Sequence, residues 1–169
     1  MACPAVAAGS ARSVATNVAF FAVPPERVWA VLADPKTYGH WVVGTDTIRD
    51  ADARWPAVGS KLHHRVGVGP FKLNDNSEVL ESDPPRRLVL QARGRPFGTA
   101  RVMLELGEHD GGTRVTMSEG PGDPISRLIH NPLFDRLVRA RNHESLRRLG
   151  ELAGAGDDAP RRGVDSATP

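Results

Sequence analysis

PLFDRLVRARNHESLRRLGELA, Pro132 to Ala153, is the segment whose reading decides the fold. Placed on a wheel at about 100° per residue, Phe134, Val138, Ser145, Leu149 and Leu152 share one face. Leu137 and Leu146 flank it. This predicts a long amphipathic helix with a broad apolar stripe that must be buried on another element. Asp135, Arg136, Arg139, Arg147 and Arg148 occupy the opposite side and suit water. Arg141, Asn142 and Ser145 fall within or beside the apolar arc. A helix pressed onto solid core has no use for polar groups there, whereas a helix that roofs a cavity does.

Upstream of this helix, the chain supplies what it would roof. Ser13 to Ala22 (SVATNVAFFA) is rich in β-branched and aromatic residues and reads as a strand. Pro24-Pro25 ends it, and Pro25 suits the first turn of a helix, where its missing N–H costs nothing. PERVWAVLAD places Val28, Trp29, Val31 and Leu32 at helical spacing. After Asp34-Pro35, a second short helix over Lys36 to Val42 carries Tyr38 and Trp41. Both are too short to stand alone and must dock on a sheet.

From Thr45 the period changes to two. Strands are predicted at Thr45–Asp50, Lys61–Val68, Phe71–Glu81, Arg87–Ala92, Ala100–Glu108 and Thr113–Glu119. The breaks between them carry turn residues: Trp55-Pro56 to Gly59, Gly67 to Pro70, Asp83-Pro84-Pro85, Arg95-Pro96 and Asp110-Gly111-Gly112. The last is a hairpin signal. Pro124 to His130 suggests a helical turn or two before Asn131-Pro132 resets the chain. Short connections favour an antiparallel meander. The predicted class is therefore α+β: a curved seven-stranded antiparallel sheet wrapped around the C-terminal helix, with two short helices after strand 1. One helix cannot fill the concave side of a strongly curved sheet, so a pocket is expected between them.

At 169 residues the chain fits one domain with a real core. Residues 1–11 and 154–169 read as disordered tails, which leaves a domain over 12–153. Lys and Arg total 22 against 20 acidic residues, and a formal charge of +2 does not argue for nucleic acid. Cys3 is the single cysteine, so there is neither a disulfide framework nor a cysteine metal site. That fits a reducing cytoplasm. No apolar run approaches the roughly 20 residues that span a bilayer, and the N-terminus lacks the basic region of a signal peptide. Membrane insertion is not expected, and a monomer or a homodimer both fit.

The order of elements resembles the helix-grip fold of the START-like (SRPBCC) superfamily. That superfamily includes polyketide cyclase/dehydrase-type proteins and plant pollen-allergen proteins. The resemblance is carried by PPERVWAVLADPKTYGHW (24–41), VGSKLHHRVGVGP (58–70), EVLESDPPRRLVL (78–90), GGTRVTMSE (111–119) and NHESLRRLGELA (142–153). It covers nearly all of the predicted domain. It implies an internal apolar cavity and a small hydrophobic ligand such as a polyketide, lipid or related aromatic. It does not imply a reaction, because one fold serves carriers and enzymes alike.

Strand alternation places candidate chemistry on the inner face. His64 shares a face with Leu62, Val66 and Val68. Asp75 and Ser77 share one with Phe71, Leu73 and Val79. Glu119 extends the face of Val115 and Met117. The candidate ligand-binding residues are Trp41, Asp75, Met117, Val138, Arg141, Asn142 and Ser145, and the candidate catalytic residues are His64 and Glu119. Burial raises the pKa of an unpaired carboxylate and lowers that of a histidine, which can set an acid and a base near neutral pH. A cyclase reading has His64 or Glu119 remove a proton alpha to a carbonyl. Arg141 would then steady the oxyanion and Trp41 wall the cavity. The same groups also have structural readings: His64 bonded to a neighbour, Glu119 and Asp75 solvated at strand ends, Arg141 reaching water over its apolar stem.

Other chemistries drop out. His63 and His64 point to opposite faces, no HExxH pattern occurs, and no metal or cofactor is expected. GVGVGP lacks the GxGxxG-then-helix arrangement of a phosphate cradle, and there is no G-x-S-x-G elbow. Three functions stay open: a ligand-binding protein, a polyketide cyclase or dehydratase, and a protein-interaction module whose pocket is closed by side chains. An exposed apolar patch on the roof helix would favour the third.

Overall fold

A computed structural model describes residues 15–68, 71–93, 98–124 and 132–155. The elements run β1 (Ala15–Phe21), α1 (Pro25–Ala33), a 3-10 turn (Pro35–Thr37), α2 (Tyr38–Trp41), β2 (Thr45–Ala51), β3 (Lys61–Val68), β4 (Phe71–Asp83), β5 (Arg87–Arg93), β6 (Thr99–His109), β7 (Gly112–Pro121) and α3 (Pro132–Gly154). The seven strands form one antiparallel sheet in the order β1-β7-β6-β5-β4-β3-β2. It is a meander from β2 to β7, with β1 added beside β7. The two edge strands, β1 and β2, are thus joined through the short helices. This is the helix-grip architecture expected from the sequence. The tails expected at 1–11 and 154–169 lie outside the described residues, except that α3 runs on to Gly154. The turn at Arg95-Pro96 and the helical turn expected after Pro124 lie outside them as well.

Local chemistry sets the element ends. Pro25 opens α1 and is buried with Val28 and Leu32. Asp34 stops α1, and its Oδ1 accepts from Lys36 N at 2.9 Å to start the 3-10 turn. The Thr37 hydroxyl donates to Val31 O at 2.6 Å, folding α2 back on α1. Between β6 and β7, Asp110 (φ 47°) and Gly111 (φ 77°) both sit in the left-handed region, and His109 pairs with Gly112. That is a two-residue type I′ turn, which Asp-Gly favours. Register shifts in β2 against β3 and between Val79 and Glu81 of β4 mark bulges. Bulges sharpen twist and bend a strand, which a sheet needs in order to curl around a helix.

Inward positions follow the alternation. Leu62, Val79, Leu88, Leu90, Leu104, Leu106, Val115 and Met117 are buried on the concave face. They pack with Val28, Leu32, Leu146 and Leu149 into one cluster. Val66, Val68, Phe71 and Leu73, expected on the same face, lie outside the described side chains. The helix α3 touches β1, α1 and α2. At Gly150 the approach to β1 is so close that an added Cβ would stand 2.7 Å from the Phe21 ring. The Trp55 indole donates to Leu32 O at 3.2 Å and ties the β2–β3 connection to α1. No helix among the described residues is long and apolar enough to cross a membrane.

One expectation for α3 is corrected. Val138, Ser145 and Leu149 are buried, but Phe134 is 36% exposed and Leu137 67%. Leu133 is 77% exposed. The stripe is covered from Val138 onward and open before it. A helical wheel assigns a side of the helix but not how far along the axis its partner reaches.

Candidate functional site

The polar residues of the concave face fall into two sets. The first is built on β3, β4 and α2. In the β3–β4 register, Leu62 faces Ser77 and His64 faces Asp75. His64, Asp75 and Ser77 are buried at 3%, 4% and 0% exposure. On α2, Tyr38 and Trp41 are both buried, and Tyr38 reaches His64 and Ser77. Tyr38 Oη lies 3.1 Å from Ser77 Oγ, and Ser77 Oγ lies 3.0 Å from His64 Nε2. The Tyr38 ring stacks on His64 with centroids 5.6 Å apart and meets Trp41 edge-on at 5.4 Å.

The second set joins β7 to α3. Glu119 is buried, and its Oε2 accepts from Asn142 Nδ2 at 2.9 Å and from Arg141 Nη2. Arg141 also donates to Asn142 Oδ1, through Nε at 3.3 Å and Nη2 at 3.2 Å. Asn142 is fully buried, while the Arg141 side chain keeps 40% of its surface in water. Ser145 Oγ accepts from Val43 N at 3.1 Å and so anchors α3 to the chain leaving α2. Met117 and Val138 are buried nearby on β7 and α3.

Electrostatics links the sets through Tyr38. Burial raises the Tyr38 pKa above its usual value; the Ser77 hydrogen bond and the Arg141 charge oppose this, and the Glu119 charge adds to it. Both charged groups of the second set are therefore felt at the phenol of the first. Burial also drives His64 below 6.5; the Asp75 carboxylate opposes the shift, while His63 and Arg49 reinforce it. The imidazole is neutral at physiological pH.

Two polar atoms of the first set have no partner among the described residues, His64 Nδ1 and Trp41 Nε1. A buried donor or acceptor left unmet costs about 1–3 kcal/mol, so such atoms call for an explanation. In the second set Glu119, Arg141 and Asn142 satisfy one another.

The residues expected from sequence are thus brought together in two neighbouring groups. Asp75 and Glu119 are buried rather than solvated. Arg141 is paired with Glu119 rather than facing open space, and Ser145 and Asn142 serve partners within the protein. Tyr38 and Ser77 are not among the site candidates read from sequence. Ser77 lies two residues from Asp75 on the inward parity, and Tyr38 lies one helical turn before Trp41. Those spacings are the available signal. Two clefts lined by described residues lie elsewhere on the surface. One, of 580 Å³, runs between β1 and α3 beside Phe20, Phe21 and Arg147. The other, of 390 Å³, lies where the β6–β7 turn meets α1. Neither includes a residue of the two buried sets. Among the described residues, no group of His, Cys, Asp and Glu is placed to hold a metal.

A curved antiparallel sheet closed on its C-terminal helix, with ionisable groups enclosed between them, defines a helix-grip protein of the START-like superfamily. Within it, the chain belongs to the family described as Activator of Hsp90 ATPase homolog 1-like protein, which matches residues 22–154. Among similar solved structures is TTHA0849 from Thermus thermophilus, at 17% identity and a TM-score of 0.66, covering 84% of this chain and 97% of that one. CalU16 from Micromonospora echinospora shares 18% identity with a TM-score of 0.58, over 84% of this chain and 76% of that one. DynU16, from the dynemicin biosynthetic locus, shares 18% with a TM-score of 0.61, over 84% of this chain and 47% of that one. At these identities the likeness establishes the fold alone. No curated protein matches the chain.

Proposed function

We propose that this protein binds a small, mainly apolar molecule in the interior between the sheet and α3, with the polar end of the molecule against Tyr38, Trp41 and His64. The observation that carries the reading is the two ring nitrogens, Trp41 Nε1 and His64 Nδ1, enclosed without a partner among the described residues, while the other buried polar groups of the two sets are hydrogen-bonded or paired and the apolar core lies beside them. A protein that only needed to pack would gain from apolar groups at both positions. The genomic setting of DynU16, a biosynthetic locus, agrees with a small organic ligand.

Native mass spectrometry of the purified full chain tests this. The expected spectrum shows an adduct of a few hundred daltons, lost on denaturation. A chain that carries no adduct and shifts no amide resonance with any of a panel of naphthalene- and sterol-sized compounds would overturn the reading.

Two other readings each have one observation in their favour. Catalysis of the cyclase or dehydratase kind is favoured by the neutral His64 in hydrogen-bonded sequence with Ser77 and Tyr38. His64 is then the group for proton transfer, since Glu119 Oε2 already accepts from Arg141 and Asn142. Loss of turnover with retained binding in His64→Ala would separate catalyst from carrier. A protein-interaction role is favoured by the exposure of Leu133 and Leu137 on α3.

A further inference from the structure

We infer that the ligand presents a neutral carbonyl oxygen, as in a ketone or quinone, to the Trp41 and His64 ring N–H groups, and not a carboxylate. This rests on the interior-binding reading and narrows it to a chemical class.

The inference starts from a count of protons. Tyr38, Ser77 and His64 share two hydrogen bonds through Ser77 Oγ. If Tyr38 donates to Ser77 and Ser77 donates to His64 Nε2, every hydroxyl proton is used. The neutral imidazole then carries its proton on Nδ1. If Nε2 instead donates to Ser77, one hydroxyl of the pair loses its acceptor inside the protein, and Nδ1 becomes a bare acceptor as well. The first arrangement leaves one unmet group and the second leaves two. The first is therefore favoured, by about the cost of one buried unmet donor. Nδ1 is then a donor, as Trp41 Nε1 always is. Both rings pack on Tyr38, Trp41 by its edge and His64 by its face. Each ring, packed on the same phenol, thus offers an N–H with no acceptor among the described residues, and a carbonyl oxygen, with two lone pairs, can accept from either or both.

The surrounding charges decide against an anion. Asp75 is buried directly across the β3–β4 ladder from His64. A second carboxylate beside it would meet like-charge repulsion in a poorly solvated place. Arg141 is engaged by Glu119 and Asn142. Arg49 is exposed on β2, and His63 points away from the inner face. Among the described residues no unengaged cation faces the two donors. Neutral polarity is what the site can accept.

The test compares three probes of one shape on the full chain by calorimetry: 2-acetylnaphthalene, 2-isopropylnaphthalene and 2-naphthoate. The ketone is expected to bind about tenfold more tightly than either of the others, the advantage that two modest hydrogen bonds supply. In Trp41→Phe the ketone-to-hydrocarbon ratio should fall toward one. In His64→Asn, where the side-chain amide can stand in for Nδ1–H, more of the ratio should survive than in His64→Gln. Circular dichroism confirms that each variant is folded, and the ratio within each variant cancels a general loss of affinity. Equal binding of ketone and hydrocarbon overturns the carbonyl inference and leaves interior binding standing, with water as the occupant of the donors. Tightest binding of the carboxylate also overturns it. Failure of all three probes to bind counts against the interior-binding reading itself, and the carbonyl inference falls with it.

Discussion

The two buried polar sets differ in how completely they answer their own hydrogen-bonding needs. On β7 and α3, Glu119, Arg141 and Asn142 form a closed group in which each charge or amide has a partner. On β3, β4 and α2, the run Tyr38–Ser77–His64 is open, and it leaves His64 Nδ1 and Trp41 Nε1 unmet. A closed polar group fixes the geometry of the elements it joins. An open one keeps binding capacity in reserve. The closed set ties α3 to β7, and under the proposed function the open set is where a ligand has something to gain.

The largest effect should come from opening the closed set. Arg141→Met keeps the apolar stem but strands the Glu119 carboxylate, 8% exposed, with the Asn142 amide still donating to it. Breaking a buried pair costs roughly 3–5 kcal/mol, and the partial exposure of Arg141 argues for the lower end, about 3 kcal/mol. Urea unfolding measures it. Glu119→Gln in the same background should recover part of the loss, because it removes the stranded charge. If the single variant unfolds like the parent, the set is not what holds α3.

Breaking the open set should cost less. Ser77→Ala removes the shared oxygen and leaves the Tyr38 hydroxyl and His64 Nε2 unmet, a loss of about 2 kcal/mol. Adding Tyr38→Phe removes one of the stranded groups. The double variant should therefore fall short of the sum of the single losses by about 1 kcal/mol. Additive losses would mean that the Tyr38–Ser77 contact carries no energy of its own.

Acidity should separate the sets further. The folded-state pKa of His64 lies below 6.5, chiefly through burial. Between that value and 6.5 the unfolded chain holds a proton that the folded chain does not. The contribution of His64 to stability is thus complete above 6.5 and is lost progressively as pH falls through the window. His64→Leu should flatten that part of the stability–pH curve relative to the parent. An unchanged slope would place His64 in contact with water.

Much of this arrangement could be read in the chain before any coordinates. Period-two alternation put His64, Asp75 and Glu119 on the inner face, and Asp110-Gly111 marked the hairpin that joins β6 to β7. Burial follows from parity because a strand has only two sides. Pairing does not follow from it. The Tyr38–Ser77 contact spans 39 residues and depends on how α2 settles over β4. The wheel found Arg141 and Asn142 at the edge of the stripe of α3, but nothing local says that Glu119, 22 residues before Arg141, will be their acceptor. The same limit explains Phe134 and Leu137. Their position on the wheel matches that of buried residues, while their place near the start of the helix leaves Phe134 36% and Leu137 67% exposed.

That exposed start yields the smallest expected effect. Leu137→Lys replaces a side chain that is 67% exposed, one turn before Arg141. Exposed substitutions away from buried features usually stay within about 0.5 kcal/mol, so the urea midpoint should barely move. If the closed set holds this part of α3 unaided, the Arg141→Met loss measured in the Leu137→Lys background should equal the loss in the parent. A loss in the double variant well beyond the sum would mean that Leu137 lies against a surface supporting Arg141. The helix start would then belong to the same cooperative unit as Glu119.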